Sequence, residues 1–121
     1  MELYQAVTAL SALAHEGRLR VFRELVQAGP DGLAAGEVSR RVGIQPNTLS
    51  ASLAVLSHAG LVTSRRDGRS IIYSAAYERM SQVLGFLLRD CCNGSPEICA
   101  PIAAILNAAA CCGGSSSPTG V

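Results

Sequence analysis

Several residue types are scarce or absent in this chain of 121 residues. It has no tryptophan, and aromatic residues make up only 4%, which argues against a base-stacking platform for single-stranded nucleic acid. It has no lysine, and its ten arginines are set against nine acidic residues, which leaves a net charge of +1. A globally basic nucleic-acid-binding surface is therefore excluded, and any DNA-binding site must depend on where the arginines lie.

Cysteine is absent from the first 90 residues, and all five cysteines follow. A disulfide framework spreads its cysteines through the fold, so these thiols are expected to be reduced, reactive or metal-binding. The amino-terminal stretch lacks the basic start of a secretory signal. The longest apolar run, residues 98–112, is interrupted and too short for a membrane span. We expect a cytoplasmic protein that does not bind a membrane.

The first part of the chain has apolar residues at helical spacing. Hydrophobic residues make up 49%, enough for one domain with its own core. Three helices are predicted, over residues 3–13, from about residue 15 or 16 to 28, and over 35–42. The first carries an apolar stripe, and the second is predicted to turn its apolar side chains inward. These residues are Leu3, Val7 and Leu10 in the first helix, and Leu19, Phe22, Leu25 and Val26 in the second.

Residues 44–60 have the pattern of a recognition helix. Leu49, Leu53 and Leu56 form one buried stripe, and Gly43 suits the left-handed end of the preceding helix. Two helices joined by a tight turn, the second with a polar exposed face, indicate a helix-turn-helix. The polar face is predicted to contact DNA through Gln45, Asn47, Thr48, Ser50 and Ser52.

A basic β-hairpin is predicted directly after this helix. Residues 61–66 and 69–74 have the composition of strands, and Asp67-Gly68 is predicted to be the two-residue turn between them. The tip carries a local charge of +2, because one aspartate accompanies three arginines. We interpret the hairpin as a wing that contacts phosphate or a minor groove through Arg65, Arg66 and Arg69.

A last long helix is predicted over about residues 75–92, with an apolar stripe that includes Leu84 and Cys91. The predicted fold is mainly helical with a β-hairpin wing, a homodimeric winged helix-turn-helix. Residues 1–92 form the predicted DNA-binding and dimerisation domain. Residues 93–112 form a predicted cysteine-containing effector extension, and residues 113–121 a predicted disordered tail.

The order of the predicted elements and several local motifs together point to a known family. The motifs are residues 10–14 leading to 18–22, Thr48–Leu56, His58–Val62, and Arg65–Arg69 with Tyr73. With these motifs the chain resembles the ArsR/SmtB family of metal-responsive winged-helix repressors over about residues 5–92. The resemblance implies a homodimer that pairs through its first and last helices, binds a palindromic operator in double-stranded DNA, and loses DNA affinity when an effector binds. Two metal sites of that family have no counterpart here, since residues 37–42 contain no cysteine and the last helix contains no histidine.

The candidate effector site is formed by Cys91, Cys92 and Cys99, with Cys111 and Cys112 as possible auxiliary ligands. Arsenite and antimonite are thiophilic and favour three thiolates arranged as a pyramid, and soft thiolates disfavour magnesium, calcium or manganese. The arrangement resembles the branch of the family whose arsenic-binding cysteines lie at the end of the last helix. The sequence therefore predicts a repressor that responds to trivalent arsenic, with antimony as a related effector.

Other functions stay open at this point. Zinc or cadmium would need four ligands, and a thiol redox sensor would pair Cys91 or Cys92 with Cys99. An interaction module or metallochaperone without DNA binding is a further alternative. An enzyme is not expected, because the chain lacks a glycine-rich dinucleotide motif and has no group placed to activate a cysteine nucleophile.

Overall fold

The computed structural model describes residues 1–89 and 100–105. The chain divides into two units, residues 1–86 and 87–121, and residues 100–105 of the second unit are helical. The predicted fold class, mainly helical with a β-hairpin wing, is confirmed. The elements, in chain order, are α1 (Leu3–Leu13), α2 (Glu16–Ala28), β1 (Leu33–Ala34), α3 (Ala35–Val42), α4 (Pro46–His58), β2 (Val62–Asp67), β3 (Ser70–Ala75) and α5 (Tyr77–Leu88).

The corner between α1 and α2 is closed by side chains that satisfy free backbone groups. His15 caps α2, because its Nδ1 accepts hydrogen bonds from the backbone N–H groups of Gly17 at 3.1 Å and Arg18 at 3.4 Å. The Arg18 side chain donates from Nε to the carbonyl oxygen of Ala12 at 2.6 Å. These bonds satisfy donors and acceptors that helix ends leave unpaired.

The core lies between the helices and the base of the wing. Its most completely buried large side chains come from α2, α3, α4 and the residues after α4, and each stabilises the fold by about 1.5–3 kcal/mol. They are Leu25, Leu49, Leu56, Leu61, Val21 and Val38. The inward prediction for Leu19 is wrong, since this residue is 43% exposed. The buried face of α2 is centred on Val21, Phe22 and Leu25, and Leu19 lies to one side of it.

The sheet has three antiparallel strands in the order β1-β3-β2. The hairpin is confirmed, but its turn is shifted by one residue from the prediction. Asp67 pairs with Ser70, so the two-residue turn is Gly68-Arg69, and Gly68 adopts the positive φ of 63° that such a turn needs. The sequence does not predict strand β1, because two residues are too few to show the alternation of apolar and polar side chains that indicates a strand.

Helix α5 begins at Tyr77 and ends at Leu88, so it is shorter than the predicted range of about residues 75–92. Ala75 belongs to β3, and residue 89 forms a turn. Its Val83 side chain is buried in the core, and the Tyr77 hydroxyl donates to the carbonyl oxygen of Val26 at 3.1 Å. Across residues 1–89 and 100–105, no helix is long and apolar enough to cross a membrane.

Candidate nucleic-acid interface

The turn between α3 and α4 is held by a set of short-range hydrogen bonds. Gly43 has φ of 76° and ψ of 30°, the left-handed conformation, and its N–H donates to the carbonyl oxygen of Ser39 at 2.9 Å. The Ser39 hydroxyl in turn donates to the carbonyl oxygen of Ile44. Arg20 of α2 donates to the carbonyl oxygen of Val42 at 3.0 Å. The start of α4 is therefore fixed relative to α3 and α2, as a helix-turn-helix requires.

Helix α4 has an apolar side and a polar side. Leu49, Leu53 and Leu56 are buried, as predicted. The polar side is exposed at the positions expected to reach DNA, namely Gln45, Asn47, Thr48 and Ser50.

Ser52 does not belong to this polar side, and its predicted exposure is wrong. Its relative exposure is 6%. Ser52 follows Leu49 by three residues and precedes Leu56 by four, and residues at these spacings lie on the same face of a helix. The helical geometry thus turns the hydroxyl toward the core and away from the predicted DNA-contacting surface.

The charges of α3 are largely neutralised within the protein. Arg40 and Arg41 both pair with Glu37, and Arg41 also lies 3.3 Å from a carboxylate oxygen of Glu24. A hydrogen bond from Arg40, which has the larger effect, and another from Arg41 lower the pKa of the Glu37 carboxyl from 4.5 to about 2. Helix α4 carries no acidic residue, lysine or arginine. Between the end of α3 and the start of α5, all the arginines lie in the wing.

The wing exposes its three predicted arginines, but it does not place them together. Arg65 pairs across the hairpin with Ile72, and Arg66 pairs with Ile71. Successive residues of a strand point to opposite faces of the sheet, so the Arg65 and Arg66 side chains leave from opposite faces. Arg69 lies in the turn. The Arg65 guanidinium donates from Nη2 to the carbonyl oxygen of Asp31 at 2.9 Å, a contact that the sequence pattern did not indicate.

Helices α1 and α5 carry apolar side chains on their outer surfaces. In α1 the core side is formed by three alanines, Ala6, Ala9 and Ala12. The predicted apolar stripe of this helix faces outward, with exposed fractions of 67% at Leu3 and 52% at Val7. Leu84 of α5 is 40% exposed. Next to α1, a groove of about 520 Å³ between α1 and α4 continues the apolar surface to Val55.

The predicted effector ligands fall outside the described residues. Cys91, Cys92, Cys99, Cys111 and Cys112 all belong to residues 90–99 and 106–121, so their predicted roles stay predictions. Over the described ranges, which contain no cysteine, no group of three histidine, aspartate or glutamate side chains is placed to hold a metal ion.

The helix-turn-helix and the wing are also where the chain matches known proteins. The helix-turn-helix domain family matches residues 13–65. One similar solved structure is the homodimeric winged helix-turn-helix DNA-binding domain of Mb0332 from Mycobacterium bovis, which is described as a possible ArsR-family transcriptional regulator. It matches this chain with a TM-score of 0.60 and 29% sequence identity, and the match covers 70% of this chain and 76% of that one. The Escherichia coli HTH-type transcriptional regulator YgaV is 33% identical over 88 residues, which are 73% of this chain and 87% of YgaV. The chain belongs to the ArsR family of winged helix-turn-helix transcriptional regulators.

A further ArsR-family relative carries a name that refers to arsenic. The putative arsenical resistance operon repressor ArsR of Halobacterium salinarum is 43% identical over 63 residues, which are 52% of this chain and 48% of that protein. ArsR-family proteins are DNA-binding transcriptional regulators and not enzymes.

Proposed function

We propose that this ArsR-family protein is a transcriptional repressor that binds operator DNA as a homodimer. The observation that carries the proposal is the pairing of an exposed polar face on α4 with an arginine-bearing wing in the same protomer. Exposed amide and hydroxyl groups suit the hydrogen-bonding edges of bases in the major groove. The wing arginines suit phosphate, which positions the protein without reading sequence.

The homodimer is supported by the outer surfaces of α1 and α5. Large apolar side chains are exposed on both helices in the protomer, and contiguous exposed apolar surface is typical of a protein interface. The Mycobacterium bovis relative is described as homodimeric. Two protomers related by a twofold axis would place their α4 helices in successive major grooves, about 34–36 Å apart.

Fluorescence anisotropy with DNA from upstream of the gene tests operator binding. Each phosphate contact contributes about 0.9 to the slope of log affinity against log salt concentration. Arg69→Ala removes one wing charge per protomer, so this slope should fall by about 1.8 for the dimer. Arg23→Ala on α2 is the matched control, since Arg23 is exposed and lies outside α4 and the wing. An affinity without salt dependence would favour an interaction module over a repressor.

We propose further that trivalent arsenic is the effector, bound by Cys91, Cys92 and Cys99. Two adjacent thiols and a third seven residues later match the three-thiolate preference of arsenite, and antimonite shares that chemistry. The softness of thiolate ligands supports the same class of effector. The putative arsenical resistance operon repressor ArsR of Halobacterium salinarum is a relative whose name refers to arsenic. Cys111 and Cys112 are assigned no more than an auxiliary part.

Arsenic binding would act on DNA affinity through α5. This helix ends at Leu88, three residues before Cys91, and it carries one of the apolar surfaces proposed for dimerisation. Drawing the three thiols together would alter the end of α5 and hence the spacing of the two α4 helices. Coupling free energies between effector and DNA sites are about 1–3 kcal/mol in typical systems, which corresponds to a loss of roughly 5- to 150-fold in operator affinity.

Titration of the reduced protein with arsenite, followed by the near-ultraviolet absorption of sulfur–arsenic bonds, tests the site directly. Saturation is expected at one arsenite per chain. Cys91→Ser, Cys92→Ser and Cys99→Ser should each weaken arsenite binding and reduce the absorption, because one of the three sulfur–arsenic bonds is lost. The double variant Cys111→Ser, Cys112→Ser should retain the wild-type signal. Unchanged binding in all three single variants would place the site elsewhere. A response to peroxide, zinc or cadmium in place of arsenite would support a redox or zinc-type sensor.

A further inference from the structure

The guanidinium of Arg65 is already engaged within the protomer. It donates to the backbone carbonyl oxygen of Asp31 at 2.9 Å, across 34 residues of sequence. Asp31 lies in the loop that connects α2 to β1. Hydrogen bonds from a charged donor are stronger than those between neutral groups, so this contact ties the outer strand of the wing to a loop that begins at the end of α2.

The same loop is fastened to the next strand. The Ser74 hydroxyl donates to the carbonyl oxygen of Pro30 at 3.3 Å, and Leu33 and Ala34 pair with Tyr73 and Ile72 of β3. Arg65 pairs with Ile72, and Ser74 is two residues further along β3, so Arg65, Ile72 and Ser74 share one face of the sheet. The loop therefore contacts the wing on the face from which Arg65 leaves.

Gly32 of this loop lies close against β3. Its φ is +74°, and a Cβ atom built on it would lie 2.4 Å from the carbonyl oxygen of Tyr73 and 2.5 Å from the hydroxyl of Ser74. No side chain fits at that distance without displacing the loop or the strand. The close contact of loop and wing thus depends on glycine at this position.

Arg66 has a different environment. It leaves from the other face of the hairpin, opposite Ile71, and it is exposed. The sequence predicts the same role for Arg65 and Arg66, but their side chains lie on opposite faces of the hairpin.

We propose that Arg65 is a positioning residue, which holds the wing against the Pro30–Gly32 loop, and that phosphate contact by the wing falls to Arg66 and Arg69. This assignment rests on the proposed operator binding. It makes the orientation of the wing depend on the loop after α2, so that a change in this loop alters DNA affinity without touching DNA.

Two measurements on the full-length protein test the assignment. The first is amide hydrogen exchange in the absence of DNA. Arg65→Ala should speed exchange at Leu33, Ala34 and Tyr73 by about 2- to 10-fold, the effect of losing one hydrogen bond. Arg66→Ala should leave these rates unchanged. Gly32→Ala should reproduce the faster exchange, and Gly36→Ala, whose Cβ meets nothing within 4 Å, is its control.

The second measurement is the salt dependence of operator affinity. Arg66→Ala should lower the slope by about 1.8 for a dimer, whereas Arg65→Ala should weaken binding with a smaller change in slope. An equal fall in slope for Arg65→Ala, with exchange unchanged, would show that Arg65 contacts phosphate and would overturn the assignment. If Arg65→Ala changed neither exchange nor slope, the assignment would also fail. An unchanged slope in Arg66→Ala would remove Arg66 from the phosphate contacts and overturn that part of the assignment. Unchanged slopes in both Arg66→Ala and Arg69→Ala would instead contradict the proposed wing contact with DNA, whatever the exchange data show.

Discussion

Leu84 and Leu19 offer a matched test of the proposed dimer surface. Both are leucines within helices, and their exposed fractions in the protomer are 40% and 43%. Leu84 lies on the outer surface of α5, which is proposed to pair with a second copy of the chain. Leu19 lies on α2, which is not part of the proposed dimer surface. Replacement by alanine should therefore cost the protomer a similar free energy of unfolding in both cases, but it should affect dimerisation only at Leu84.

The expected size of the effect follows from the exposed fraction. Complete burial of a leucine side chain stabilises by about 1.5–3 kcal/mol, so burying the remaining 40% contributes roughly 0.6–1.2 kcal/mol per protomer. A twofold interface contains the residue twice, which gives roughly 1.2–2.4 kcal/mol for the dimer. Since 1.4 kcal/mol is a factor of ten, Leu84→Ala should raise the dimer dissociation constant about 7- to 50-fold.

Sedimentation equilibrium over a dilution series, without DNA, measures this constant. Leu19→Ala should leave it unchanged. The reasoning is refuted if Leu84→Ala dimerises as tightly as the wild type, or if the two variants weaken the dimer equally. In either case the outer surface of α5 would not be the contact between protomers.

Three further predictions concern the core, the charges of α3 and the face of α4. Leu56→Ala should lower the free energy of unfolding by about 2–5 kcal/mol, measured by urea denaturation, and a loss below about 1 kcal/mol would contradict its placement in the core. Because the pKa of Glu37 is lowered to about 2, its ion pairs add stability above pH 4.5 that is lost as the pH falls toward 2. Glu37→Gln should remove this acid dependence in thermal melts, and an unaltered pH profile would count against the pairing. Asn47→Ala should weaken operator binding by roughly 5- to 150-fold, whereas Ser52→Ala should leave the operator Kd unchanged, and the reverse order would contradict the faces assigned to α4.

The helix-turn-helix was predictable from sequence because its signals are local. The end of α3 at Val42 follows from Gly43, which adopts the left-handed conformation directly after it. The apolar spacing of Leu49, Leu53 and Leu56 fixes the buried side of α4. Ser52 was misplaced because the prediction followed its polarity and not its angular position on the helix.

The remaining errors have two causes: tertiary contacts that the local pattern does not show, and the backbone conformation of one turn residue. In α1 the small residues Ala6 and Ala9 pack inward, because close approach to α2 and α4 favours alanine, and the larger side chains remain outside. The hairpin turn moved by one residue because Gly68, and not Asp67, supplies the positive φ. The hydrogen bond between Arg65 and Asp31 joins residues far apart in sequence. Its acceptor is a backbone carbonyl, which every residue has, so the residue types in the sequence do not indicate it.

The central claim joins operator binding by α4 and the wing to arsenic binding by the cysteines after α5. It is tested most directly by adding arsenite to the complex of reduced protein with labelled operator DNA and following the anisotropy. The wild type should release DNA as arsenite reaches one equivalent per chain, while Cys91→Ser, Cys92→Ser and Cys99→Ser should bind DNA normally and stay bound. If the wild type stays bound at saturating arsenite, or if all three variants release DNA as it does, the claim is contradicted.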